Sequence, residues 1–166
     1  MPFHVVLVAP EMPQNAGNII RLCANTGSTL HLVKPFSFEL DDKHLQRASL
    51  DYRDIADVRI HDSFTDVASE LKSSRIFATT ASGNTRYDQV AYKDGDAILF
   101  GPERTGLSPR ILDQIDAARH LGIPMVPGNR SLNVSNAAAL VVYEMWRQNS
   151  FNGGQLKQQG EQENFS

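Results

Sequence analysis

The chain has 166 residues, a length that accommodates one domain around one hydrophobic core. Hydrophobic residues make up 41% of it and charged residues 21%, which excludes a chain that is disordered throughout. Its 16 Lys and Arg against 19 Asp and Glu give a net charge of −3, so nucleic acid would have to be bound by a local basic patch.

Short apolar runs alternate with segments of helical pattern along the chain. The first run, residues 3–9, is rich in β-branched residues and predicts a strand covered on both faces. Pro10 and Pro13 argue against a helix before residue 16. We predict further strands at 30–33, 58–60, 76–79, 97–100 and 123–126, and helices at 16–25, 42–47, 66–72, 109–115 and 136–147. This alternation predicts an α/β fold with a mostly parallel sheet and helices on both faces.

Two helix starts and the end of the chain have clear local signals. Ser63 with Asp66 resembles a capping box, and Ser108 precedes a first-turn proline. Residues 149–166 are polar and rich in Gln and Gly, which predicts a disordered tail after a domain spanning residues 1–148. There is no membrane-length apolar run and no signal-peptide pattern, so we expect a cytoplasmic protein.

Several kinds of chemistry find no support in the sequence. There is no Gly-x-Gly for a dinucleotide site, and the glycines at 101 and 106 lack the Lys and Ser/Thr of a phosphate-binding loop. The five histidines are scattered, so we expect no metal. The single cysteine, Cys23, excludes an internal disulfide, and its spacing with Ile19 and Ile20 places it in the core.

Three loops carry more polar residues and glycines than a connection requires. They are residues 15–21 at a strand-to-helix turn, 100–107 at the end of an apolar strand, and 123–136 before the last helix. Parallel sheets bind ligands at strand carboxyl ends, where glycine lets a ligand approach the backbone. Each loop also has a purely structural interpretation: Asn15 as a helix cap, Gly101-Pro102 as a turn, and the Asn and Ser residues of the third loop as redundant caps.

The three loops resemble the motifs of the SPOUT RNA 2′-O-methyltransferases over residues 1 to about 148. The matching residues are Asn15-x-Gly17-Asn18-x-x-Arg21, Phe100-Gly101-Pro102-Glu103-x-x-Gly106-Leu107, and Ile123-Pro124-Met125 through Ser131-Leu132-Asn133-x-Ser135-Asn136. The resemblance implies a C-terminal trefoil knot, a homodimer, and S-adenosyl-L-methionine bound among the knot loops. The stretches 18–27, 50–52 and 92–96 are similar to the tRNA (cytidine-34-2′-O)-methyltransferase branch, which modifies the anticodon wobble nucleotide.

The resemblance also implies roles for individual residues. Arg21 resembles the family's catalytic arginine, Asn15 its orienting partner, and Glu103 the acid of the second motif, while Ser131 and Asn133 resemble the polar pair of the third. The implied cofactor contacts are Thr79, Gly101, Glu103, Ile123, Met125, Ser131 and Leu132. Because arginine stays protonated, we expect Arg21 to hold the ribose or phosphate and to stabilise developing oxyanion charge. This reaction requires no metal.

The implied partner is the tRNA anticodon loop, whose single-stranded bases can stack on aromatic side chains. The candidate RNA contacts are Phe36, Phe38, Lys43, Arg47 and Arg53. Two alternatives remain open at this stage. The chain is either a 2′-O-methyltransferase of another tRNA position or of ribosomal RNA, or an inactive knotted module that binds RNA or assists assembly.

Overall fold

The computed structural model describes residues 2–39 and 56–157. Seven parallel strands form one sheet in the order β3-β2-β1-β6-β4-β7-β5. The strands are β1 His4–Val8, β2 Thr29–Val33, β3 Val58–His61, β4 Ile76–Thr79, β5 Thr85–Arg86, β6 Ala97–Phe100 and β7 His120–Gly122. The helices are α1 Pro13–Thr26, α2 Phe64–Glu70, α3 Pro109–Leu112 and α4 Val134–Gln148. Within the described ranges, no helix combines the length and the apolar character needed to cross a membrane.

The sheet is covered on both faces, as predicted. Val5 and Leu7 of β1 pack in one cluster with residues of α1 and α4, whereas Val6 and Val8 pack in a second cluster with residues of α2. Successive strand residues point to opposite faces, so the continuous apolar run of β1 supplies both cores. The prediction of an α/β fold with a parallel sheet is therefore confirmed.

The structure corrects the start of the first helix and the position of the last strand, and proline explains both differences. α1 begins at Pro13 rather than at residue 16, because a first-turn proline removes only an N–H group that has no partner within the helix. The last strand is His120–Gly122 rather than 123–126. Pro124 cannot donate to a strand ladder, and the segment that contains it runs exposed along a cleft. The helix predicted at 42–47 lies outside the described residues.

Both predicted helix starts, at Ser63 and Ser108, are capped by the serine side chain. The Ser63 hydroxyl accepts a hydrogen bond from the Asp66 N–H and starts α2. The Ser108 hydroxyl accepts from the Ile111 N–H and starts α3. Each hydroxyl satisfies a first-turn N–H that has no helical partner, which fixes where the helix begins.

β7 lies between β4 and β5, although residues 80–84 alone connect those two strands. The connection passes so close to β7 that a Cβ on Gly83 would lie 2.3 Å from the Leu121 carbonyl carbon. The Thr85 hydroxyl also donates to the Ala118 carbonyl at 3.1 Å, just before β7. Glycine is required at residue 83 because any side chain would collide with the backbone beneath it.

The first part of the predicted tail folds back on α4. The Trp146 indole N–H donates to the Asn152 carbonyl at 3.1 Å, and the Phe151 ring packs edge-on against the same indole. The Asn149 amide donates to the Met145 carbonyl at 2.8 Å. Residues 149–154 thus extend the contacts of the last helix, and residues 158–166 lie outside the described part of the chain.

Cys23 is fully buried in the core, and burial raises the pKa of its thiol to about 12. We expect a thiol reagent to label Cys23 at pH 8 only at the rate of global unfolding. Because the pKa is higher in the folded than in the unfolded chain, stability falls as pH rises above 9. The rate of Cys23 labelling is compared with the rate of global unfolding, which is followed by the fluorescence of Trp146. Labelling of the folded protein as fast as that of a free thiol would contradict the burial of Cys23.

Candidate active site

An open cleft of about 350 Å³ lies beyond the carboxyl ends of β4, β6 and β7. Three loops far apart in sequence meet there, because parallel strands place their carboxyl ends at one edge of the sheet. The cleft lining includes all the predicted cofactor contacts, namely Thr79, Gly101, Glu103, Ile123, Met125, Ser131 and Leu132. Of the residues predicted to be catalytic, Glu103 and Ser131 line the cleft, whereas Arg21, Asn15 and Asn133 do not.

The cleft combines an apolar wall with fixed polar groups. Met125 and Leu132 are 43% and 45% exposed and present apolar surface to the cleft. The Thr79 hydroxyl donates to the Leu99 carbonyl at 2.8 Å and is thereby held against the sheet. Ser131 is exposed and makes no hydrogen bond with the described residues. A flat apolar group with polar edges fits such a lining.

Glu103 holds the beginning of α1. Its carboxylate accepts hydrogen bonds from the Glu11 N–H at 2.8 Å, the Met12 N–H at 3.1 Å and the Asn15 side-chain amide at 3.1 Å. These donors precede or open a helix that has no side-chain cap of its own. A carboxylate is favoured there because it is a stronger acceptor than a neutral group and lies at the positive end of the helix dipole.

Asn15 and Asn133 join the first loop to the third. Asn15 is 3% exposed, and its amide oxygen accepts from the Asn133 side-chain amide at 3.1 Å. The Asn133 amide oxygen in turn caps α4 by accepting from the Ser135 and Asn136 N–H groups. Asn15 is therefore not a helix cap, which corrects that interpretation, and Asn133 is the single cap of α4. One line of hydrogen bonds connects Glu103 to the start of α4.

We expect Glu103→Gln to weaken both the fold and the cleft. Glutamine has only one acceptor oxygen for the three groups that donate to Glu103, so at least one of these donors loses its partner. The expected loss in the free energy of unfolding is about 1–3 kcal/mol. Urea unfolding and calorimetry with S-adenosylhomocysteine measure the two effects. Glu11→Gln is the matched control, because this carboxylate loses only its ion pair with the exposed Arg104, and solvent screening makes such a pair a weak contribution to stability. Equal effects of the two variants would contradict the role assigned to Glu103.

Arg21 lies on α1 outside the cleft. It is half-buried and makes no hydrogen bond or ion pair with the described residues. Asn18 and Asn25, which lie three residues before and four residues after Arg21 on α1, are exposed, and neither lines the cleft.

Sequence reasoning missed the ion pair between Arg104, which lines the cleft, and Glu11. The Arg104 guanidinium donates to the Glu11 carboxylate at 2.7 Å, and this hydrogen bond lowers the pKa of Glu11. The two residues are 93 positions apart, so no local pattern could link them. Only the pairing of β1 with β6 brings the loops that carry them together.

The predicted RNA contacts are only partly described. Phe38 is 7% exposed, its ring stacks on Phe36 at 5.0 Å, and it packs in the core, so its role as an RNA contact stays a prediction that this packing does not favour. Phe36 is half-buried. Lys43, Arg47 and Arg53 lie outside the described residues.

Residues 2–143 match the SpoU rRNA methylase family. The chain belongs to that family. A curated relative from Methylovorus glucosotrophus (strain SIP3-4), named tRNA (cytidine(34)-2′-O)-methyltransferase, is 49% identical over 151 residues, which cover 91% of this chain and 98% of the relative.

Solved structures agree with this membership of the SpoU family. One from a study of 2-OH methylation of C/U34 on tRNA is 41% identical with a TM-score of 0.84, covering 90% of this chain and 97% of that one. The SpoU methyltransferase AviRb from Streptomyces viridochromogenes, in complex with AdoMet, is 24% identical with a TM-score of 0.78, covering 92% and 58% respectively, and supports the fold alone.

Proposed function

We propose that this chain is a tRNA (cytidine(34)-2′-O)-methyltransferase, which transfers a methyl group from S-adenosyl-L-methionine to the ribose 2′-oxygen of the wobble nucleotide. The observation that carries the proposal is the 49% identity with a relative of that name over nearly the full length of both chains. The accepted nucleotide is cytidine, with modified uridine as a further substrate. The geometry of the cleft supports a reaction of this kind.

The cleft lining fits the proposed methyl donor. Its volume of about 350 Å³ lies in the range of small-molecule sites, and Gly101 is among the residues that line it. Ile123, Met125 and Leu132 supply apolar contact for an adenine ring, and the free Ser131 hydroxyl supplies a polar contact. When bound, S-adenosyl-L-methionine supplies an electrophilic methyl group on a positively charged sulfur.

The protein's part in the reaction is to align groups and to stabilise charge. Glu103, Asn15 and Asn133 position the loops around the cleft through their shared hydrogen bonds. Arg21 holds the phosphate or ribose of the nucleotide and stabilises the negative charge that develops on the 2′-oxygen. Its guanidinium stays protonated at neutral pH, so it does not remove the hydroxyl proton.

We infer that the active enzyme is a homodimer. Arg21 does not line the cleft of its own chain, which supports a dimer in which the partner protomer brings this cation to the reacting ribose. α4 presents Leu140 and Tyr143 to solvent at 39% and 44% exposure, and Met12 is exposed before α1. Apolar side chains exposed on neighbouring elements are typical of an interface.

We also propose that the C-terminal part of the chain forms a trefoil knot. The position of β7 between β4 and β5, under the connection at 80–84, supports this topology. The rest of the chain, including α4, continues from the strand that passes beneath that connection. A threaded arrangement is rare among proteins, which makes this placement of β7 informative.

The proposed RNA partner is the tRNA anticodon loop, and a tRNA-modifying enzyme acts in the cytoplasm. With a net charge of −3, the protein requires a local group of cations for the phosphates. Lys43, Arg47 and Arg53 remain the proposed cations, with Phe36 as the aromatic candidate. Binding should therefore weaken as the salt concentration rises.

The deciding experiment measures methyl transfer from labelled S-adenosyl-L-methionine to two tRNAs that differ only at nucleotide 34, one with cytidine and one with 2′-deoxycytidine. We expect label in 2′-O-methylcytidine from the first and none from the second, because the second lacks the accepting hydroxyl. Equal labelling would place the reaction at another position. No labelling of tRNA, with labelling of ribosomal RNA, would assign the family's other substrate class.

A further inference from the structure

Three histidines form a continuous line across β1, β2 and β3. His4 Nδ1 lies 3.0 Å from His31 Nε2, and His31 Nδ1 lies 2.9 Å from His61 Nε2. The strand register produces this line, because His31 pairs with Arg59 and so comes next to His61 two residues further along β3. His31 is fully buried and His61 is buried. This cluster is separate from the cleft and from the residues proposed for methyl transfer.

The carboxylate of Glu70, from the last turn of α2, completes the cluster. Its Oε2 lies 3.7 Å from His61 Nε2 and makes no hydrogen bond with the described residues, whereas its Oε1 accepts from Arg59. His31 Nδ1, His61 Nε2 and one Glu70 oxygen all lie within 4.8 Å of one another. Two imidazole nitrogens and a carboxylate oxygen are common ligands of transition metals.

The spacing of these atoms suits a single ion. Zinc bonds of about 2.0–2.1 Å in a tetrahedral site place neighbouring ligand atoms about 3.3 Å apart. The two measured separations, 2.9 Å and 3.7 Å, lie on either side of that value. The third separation, between His31 Nδ1 and the Glu70 oxygen, is within 4.8 Å, so the atoms have to move together by no more than about 1.5 Å to hold one ion. The side chain of Glu70 is 36% exposed, which leaves a solvent-facing position for a fourth ligand.

His4 supplies a hydrogen-bond partner for the ring nitrogen of His31 that does not face the proposed ion. A histidine that binds a metal through Nδ1 usually donates its Nε2 proton to another group, which fixes the tautomer. His4 Nδ1 is placed to accept that proton from His31.

We propose that His31, His61 and Glu70 bind one divalent transition-metal ion, with zinc as the ion that their donors fit best. The ion ties α2 to β2 and β3 and supports the fold rather than the methyl transfer. The 30 residues between His31 and His61 explain why sequence spacing predicted no metal. Sheet pairing, not a local motif, assembles the ligands.

The test uses the full chain, stripped of metal with a chelator and titrated with Zn²⁺ alone at pH 7.5. We expect one ion per chain and, at about 100-fold excess over the dissociation constant, a rise of about 5 °C in the melting temperature. Co²⁺ as a spectroscopic probe should give the strong visible absorption of a four-coordinate site. No saturable binding at about 100 µM Zn²⁺ would overturn the proposal.

Two variants separate this site from adventitious binding. Glu70→Gln removes a partly exposed ligand without emptying the core, and we expect it to weaken Zn²⁺ binding by at least about tenfold. Asp88→Asn is the matched control, since this carboxylate is also paired with an arginine and also has a side-chain exposure of 36%. Its affinity for Zn²⁺ should equal that of the wild type. Equal affinities of Glu70→Gln and wild type would overturn the proposal, whatever the stoichiometry.

Discussion

Replacing Arg21 by alanine is expected to reduce methyl transfer to tRNA by at least about 100-fold, because the variant loses the cation proposed to stabilise charge on the attacking oxygen. Binding of S-adenosylhomocysteine should stay within twofold of wild type, since Arg21 does not line the cleft. Single-turnover transfer of a labelled methyl group and calorimetry with the cofactor product measure the two effects separately.

Two further variants sharpen the experiment with Arg21. Arg21→Lys keeps the positive charge but loses the planar fork of donors, so we expect an activity between those of wild type and alanine. Arg110→Ala removes an exposed arginine that does not line the cleft, and it should leave transfer unchanged. An Arg21→Ala enzyme with wild-type transfer rates would contradict the assigned role, as would a loss of cofactor binding equal to its loss of transfer.

The second large effect is expected from Gly101→Ala. A Cβ at this position would lie 2.3 Å from the Leu107 nitrogen and 2.4 Å from the Gly106 carbonyl carbon, so the whole loop after β6 must move. We expect a loss of about 3 kcal/mol or more in the free energy of unfolding. Cofactor affinity should fall by at least tenfold, because the same loop carries Glu103.

Gly27→Ala provides the control for the general cost of a lost glycine. Gly27 ends α1 with a φ of 66°, and an added Cβ there would meet nothing within 4 Å. Its replacement should cost about 1 kcal/mol from backbone strain alone and leave cofactor affinity unchanged. If both variants lose affinity in proportion to their lost stability, the effect of Gly101→Ala is global and not a property of the cleft.

Patterns of local residues predicted much of the fold. The strands at 76–79 and 97–100 agree with the structure residue for residue, because a short buried strand shows itself as an apolar run between turn signals. The caps at Ser63 and Ser108 were predictable for the same local reason. β5 was missed because two residues carry no periodicity, and its only pairing is with β7.

The candidate site was predictable where a motif names its residues, and the cleft does bring the predicted cofactor contacts together. What the sequence could not show is which partner each side chain takes. Asn15 looked like a helix cap, yet it links Glu103 to Asn133, 118 residues away. Phe38 looked like a surface aromatic, yet the core buries it. Such partners depend on which strands pair, and strand pairing is not encoded in a local pattern.

The place of β7 has a consequence for a chain that is synthesised from its N-terminus. β5 pairs only with β7, so one edge of the sheet has no template until residues 120–122 have been translated. In the proposed knot, residues 80–86 stay open until the later chain has passed beneath them. Most of the polypeptide has therefore been synthesised before the cleft can form, because Leu121, Ile123 and Leu132 belong to its lining. A nascent chain that stalls earlier holds β1, β2 and β6 but no cofactor site.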